Sequence, residues 1–127
     1  MAVDSMTLDT EMQLVLPAEP QLLRIVRLVA SGLASLAGGD LDAVEEVRVA
    51  ADELVAALME AGAGNDVTIN LQLRGGLLAI DAATDLPAGK ELQIDPLSDR
   101  ILDTVATRHE WRTEDGRAHG IVERSLH

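Results

Sequence analysis

The amino-acid sequence predicts an α+β fold: a two-layer sandwich whose mixed, mostly antiparallel sheet carries three helices on one face. Three observations lead there. Two long stretches carry apolar residues at helical spacing, separated only by Gly38, Gly39 and Asp40. Two later segments place extended runs on either side of Gly75-Gly76 and Asp115-Gly116, the pattern of hairpins. A shorter helical stretch stands between those hairpins. The order is β-α-α-β-β-α-β-β, with no internal repeat or interdomain linker, so residues 12–127 read as one domain behind a flexible tail at residues 1–11.

The elements follow in turn. Residues 12–18, MQLVLPA, read as a short strand closed by Pro17, which places it at a sheet edge or a strand end. Pro20 suits the first position of a helix. Apolar residues at 22, 23, 25, 26, 29, 33 and 36 mark that helix's buried face, and Gly38-Gly39 ends it. Asp40 caps a second helix, which runs from Leu41 to about Ala61 and stops at Gly62. Val67, Ile69, Leu71 and Leu73 alternate with polar residues as a half-buried strand, and LLAIDA pairs back across Gly75-Gly76. Residues 85–95 form a loop. A helix follows over 97–108, capped by Ser98 or Asp95, and a closing hairpin turns at Asp115-Gly116.

Composition excludes several functions. The chain has 127 residues, 47% of them apolar, enough for one core. It has one tryptophan, Trp111, and no Phe or Tyr, so no aromatic platform for single-stranded nucleic acid can be built. The formal charge of −12 repels a polyanion and suits a basic protein partner, although such charge often serves only solvation. Cysteine is absent, which removes disulfides and thiolate metal sites. No leader pattern or membrane-length apolar run is present, and the expected location is cytoplasmic.

Three stretches together resemble the Bergerat-type ATPase fold of the histidine kinase-like (GHKL) proteins. They are LVLPAEPQLLRIVRLVASGLA, LDAVEEVRVAADELVAALMEAG and DRILDTVATRHEWRTEDGRAHGIVERSL. The chain is most similar to the anti-sigma factor serine kinases of bacterial partner switching, as a degenerate member. Such proteins are cytoplasmic homodimers that hold a sigma factor away from RNA polymerase, and many phosphorylate a serine on a STAS-type antagonist. The resemblance assigns Glu53 as the base of phosphoryl transfer. It puts Ala57 where an asparagine would ligate magnesium, and Asp81 where an aspartate would bind the adenine amino group. In the same box Ala83 and Asp85 replace two glycines. Pro96, Leu97, Ser98 and Asp99 stand where a glycine-rich turn would wrap the phosphates. Alanine offers magnesium no oxygen, and proline offers a phosphate no N–H. The resemblance also places Arg24 and Arg27 near a dimer interface, where an arginine meets partner proteins.

Each of these residues has a plainer reading. Glu46, Ala50, Glu53, Ala57 and Glu60 recur at intervals of three and four, as a solvated acidic stripe would. Asp81 reads equally well as a turn-initiating residue, and Arg24 and Arg27 as solvated helix residues. His109, His119 and His127 lack metal-ligand spacing with a carboxylate, and Ser31, Ser35, Ser98 and Ser125 lack an activating neighbour. Trp111 is expected to fill the core or an interface, with its indole N–H bonded. The expected function is therefore anti-sigma-factor-like: binding a sigma factor, a STAS-type antagonist or both, with no nucleotide cofactor, no metal and no direct contact with nucleic acid or membrane. The alternative is an ATP- and magnesium-dependent serine/threonine kinase using Glu60 or Asp85 as substitute metal ligands. A third possibility is a regulatory domain using the same surface for an unrelated partner.

Overall fold

The computed structural model describes residues 8–127. The tail expected over residues 1–11 lies largely outside that range, and its last two residues already belong to a strand. Strand β1 spans Thr10–Leu16 and so begins two residues earlier than local pattern suggests. Pairing is the reason: Thr10 lies opposite Leu73 and Leu16 opposite Val67, and the Asp9 carboxylate accepts a hydrogen bond from the Gly75 N–H at 3.1 Å. Pro17 follows the strand's end, where its missing N–H disrupts no ladder.

A single 3₁₀ turn, Pro20–Leu22, leads into helix α1 (Leu23–Leu36). The helix ends where Gly38 adopts φ +86° and the Gly39 N–H bonds back to the Ala34 carbonyl at 2.9 Å, a left-handed closure that glycine adopts without strain. Asp40 then accepts from the Ala43 N–H at 2.8 Å and starts helix α2 (Leu41–Gly62). The remaining elements are β2 (Val67–Arg74), β3 (Leu77–Asp85), α3 (Pro96–Val105), β4 (Arg108–Glu114) and β5 (Arg117–Ser125).

The five strands form one sheet in the order β1-β2-β3-β5-β4, and every neighbouring pair is antiparallel. The sheet is thus not mixed. The chain passes through α1 and α2 before β2 returns antiparallel to β1. The crossover through α3 makes β3 and β4 parallel, but β5 inserts between them.

Helix α2 lies across the sheet and supplies Val47, Ala51, Leu54, Val55 and Leu58 to the core. Val67, Ile69 and Leu71 of β2, Leu78 and Ile80 of β3, and Val122 of β5 meet them. Helix α1 packs through Val26, Ala30, Leu33, Ala34 and Ala37. Of the positions expected on its buried face, Val26 and Leu33 are buried, whereas Ile25 and Leu36 are 42% and 69% exposed. Alanines let α1 approach α2 closely, and the larger side chains turn outward.

Helix α3 is also shorter than expected. It opens at Pro96 with Asp95, not Ser98, as its cap, and ends at Val105 because Thr107 already donates to Glu123 of β5 at 2.7 Å. The opposite face of the sheet carries no helix and is lined by residues such as Thr68, Asn70, Gln72, Asp81 and His119. No helix among the described residues is long and apolar enough to cross a membrane.

Candidate functional site: an acidic cleft beside the second helix

One long concavity runs along the outward face of α2, under the loop that joins β3 to α3. Its middle part, about 150 Å³, is lined by Glu53, Ala56, Ala57 and Glu60 of α2, with Gln93, Asp95 and Ser98 opposite. A wider part of about 540 Å³ continues past Ala61 and Ala63 beneath Pro87, Gly89, Lys90 and Glu91. The 3.6-residue period produces the α2 wall: 53, 56, 57 and 60 share one stripe while Leu54, Val55 and Leu58 point into the core. The covering loop is pinned by Leu86 and Leu92, which pack against that core. The volume suits a small ligand or a peptide side chain, so the chemistry of the lining decides what enters.

That lining is acidic. Glu53, Glu60, Glu91 and Asp95 face the cleft, with Lys90 the one base among its lining residues. Ala57 presents a methyl group beside Glu53, so no oxygen stands at that position for a metal to share. The start of α3 offers an anion little. Pro96 has no N–H, and the Leu97 N–H is already held by the Asp95 carboxylate at 2.9 Å. Bringing three phosphates here would place like charges together in a partly enclosed space.

The structure brings together only part of the expected site. Glu53, Ala57 and Glu60 do line one cleft. The acidic stripe to which they were assigned is broken, however, because Ala50 is buried and Glu46 is tied to Arg124 at 2.6 Å. Asp81, expected to bind adenine, does not face this cleft. Leu78, Ile80 and Ala82 point toward the helices, so Asp81 lies on the sheet's other face opposite Asn70 and Ile121. There it borders a small hollow with Arg108, Glu110, Arg112 and His119. Asp85, a candidate substitute metal ligand, closes β3 and is held by Arg117 at 2.6 Å. Of the two arginines on α1, Arg27 bonds Asp52 of α2 at 2.7 Å and acts as an internal strut. Arg24 is exposed and forms no ion pair among the described residues.

Sequence reasoning missed one polar cluster. The Trp111 indole N–H donates to the Asp99 carboxylate at 2.8 Å, which supplies the partner expected for it. The same carboxylate lies 3.2 Å from His109 Nε2, and Asp103 lies 3.4 Å from His109 Nδ1. Helix α3 thus clasps β4 through two carboxylates one turn apart. His109 thus has two carboxylate neighbours on a helix, while no group able to hold a metal ion is present among the described residues. The signal was present in the spacing of Asp99 and Asp103, which share a helix face, and of His109 and Trp111, which share a strand face.

No protein-family model matches the chain, and no curated protein gives a significant match. Among solved structures, the fold is similar to the crystal structure of the RsbU and RsbW domains of Rv1364c from Mycobacterium tuberculosis. The TM-score is 0.74 at 15% identity, and the match covers 92% of this chain and 32% of that one. The chain therefore spans about a third of the length of that protein. What the two share is the fold, in this chain an α+β arrangement of three helices on a five-stranded antiparallel sheet.

Proposed function

We propose that this protein is a partner-binding regulator of the anti-sigma-factor type, a degenerate GHKL module that acts in partner switching without transferring phosphate. Its partners are a sigma factor, a STAS-type antagonist or both, met in the cytoplasm by a homodimer. The observation that carries this reading is the cleft beside α2. Glu53 lines it beside Ala57 and Asp95, and the methyl group of Ala57 and the ring nitrogen of Pro96 offer none of the oxygen and N–H groups that a metal and phosphates need. A fold of this class with an acidic cleft has use for its surfaces rather than for a nucleotide. Its charge of −12 complements the basic faces of a transcription factor and speeds encounter with them.

The active-kinase reading keeps only Glu53 and Glu60 in its favour, since Asp81 and Asp85 stand on the other side of the sheet or are already paired. Calorimetric titration with magnesium-ATP separates the two. No heat of binding is expected up to about millimolar nucleotide, a free energy weaker than about 4 kcal/mol. Micromolar binding together with phosphate transfer to a STAS serine would establish the kinase instead. Pull-down from the native cytoplasm is expected to recover a sigma factor or STAS protein, and their absence would count against the regulatory reading.

A further inference from the structure

Three hollows meet along the outward stripe of α2, and Glu60 borders all of them. The two acidic ones form the cleft described above. The third, about 230 Å³, lies at the other side of Glu60 and is apolar: Ala18, Pro20, Leu23, Ala56 and Met59 line it. The result is a trough that begins in a greasy pocket and continues between carboxylates. Three acids elsewhere are paired with arginines: Asp52 with Arg27, Glu46 with Arg124 and Asp85 with Arg117. Glu53, Glu60 and Glu91 have no such partner among the described residues, and Asp95 only caps Leu97.

We propose that this trough is a docking groove for a short cationic peptide segment of another protein, anchored by one apolar side chain. The anchor sits among Ala18, Pro20, Leu23, Ala56 and Met59, and lysines or arginines beside it in the sequence lie over Glu60, Glu53 and Asp95. Burial of the anchor supplies affinity, while the unpaired carboxylates supply orientation and discrimination against acidic segments. The dimensions agree. Glu53 and Glu60 are two turns apart on α2, about 10 Å along the axis, which is the span of roughly three extended residues. The charge points to a basic segment of another protein as occupant; MAVDSMTLD, with two aspartates and no lysine or arginine, is not such a segment. The inference rests on the preceding reading only in requiring a cleft that holds no triphosphate.

The test uses the full chain and three fluorescein-labelled synthetic octapeptides, followed by anisotropy. One has a leucine beside three consecutive lysines; the second has glycine for the leucine; the third has glutamates for the lysines. The first is expected to bind at least about tenfold tighter than the second, the scale of one buried leucine side chain, and the third not at all. Ala56→Leu fills the pocket and is expected to weaken the first peptide about tenfold, to the level of the glycine peptide. The double variant Glu53→Gln, Glu60→Gln, which changes no core residue, is expected to weaken it about tenfold and flatten its salt dependence. Equal binding of the leucine and glycine peptides would overturn the proposal, as would binding unchanged in the double variant. A chain that passes these tests yet retains no sigma factor or STAS protein in the pull-down keeps the groove and loses the partner-switching reading.

Discussion

At the scale of single residues, small side chains do much of the fitting between layers. Gly62 is the last residue of α2 and is buried; a Cβ there would stand 2.5 Å from Thr84 Oγ1. Thr84 is the one fully buried polar residue among the described residues, and its hydroxyl donates to the Asp66 carbonyl at 2.8 Å. Replacing a helical glycine by alanine usually stabilises by about 0.5–1 kcal/mol. Here the sign should reverse. Gly62→Ala must push Thr84 from its rotamer and break its bond to Asp66, so urea denaturation is expected to show a loss of about 1–3 kcal/mol. A gain in stability would mean that the helix end can shift away from β3. The same scale explains why Asp81 stands apart from Glu53 and Ala57. A short motif aligned it with a ligand-binding aspartate, yet its strand alternates strictly, and buried Ile80 and Ala82 on either side send it to the far face. That parity was readable in the sequence.

At the scale of elements, what local pattern encodes was legible and what pairing encodes was not. The start of α2 is the clearest case. Asp40 stands before an apolar-periodic run, and its carboxylate holds the Ala43 N–H at 2.8 Å. Asp40→Ala should therefore cost about 1 kcal/mol, read as a lower urea midpoint with an unchanged slope, whereas Asp40→Ser should be nearly neutral. An unaffected midpoint in the alanine variant would show that the tight turn after α1 holds the helix start unaided. The hairpin turns at Gly75-Gly76 and Asp115-Gly116 were equally plain, since these positions need positive φ. By contrast, the first residues of β1 and the short C-terminus of α3 depend on partners far along the chain. Thr10 meets Leu73, and Thr107 meets Glu123. No window of local sequence contains those partners. The contact face of α1 was legible only at Val26 and Leu33: the rest of it is alanine, whose weak hydropathy is outvoted by Ile25 and Leu36 on the outside.

At the scale of the whole molecule, charge is the dominant unspent term. Twenty-two acidic side chains face ten basic ones. The ion pairs that do form among the described residues mostly join partly or largely exposed groups, such as Arg48 with Glu45 and Arg74 with Glu11. Pairs of that kind contribute about 0–1 kcal/mol each. The remaining carboxylates repel one another across the surface, most closely along the trough, and this repulsion opposes the compact state. Salt acts on both contributions, weakening the favourable pairs and the unfavourable excess alike. Raising sodium chloride from about 0.1 M to about 1 M shortens the screening length from about 10 Å to about 3 Å. Because the excess of twelve negative charges outweighs a few weak pairs, the repulsion should lose more. The melting temperature followed by circular dichroism is expected to rise by about 3 °C or more, near the shift that about 1 kcal/mol produces in a domain of this size. The double variant Glu53→Gln, Glu60→Gln should begin from a higher melting temperature and gain less from salt. A melting temperature that falls with salt would mean that the surface pairs, and not the unpaired acids, control stability.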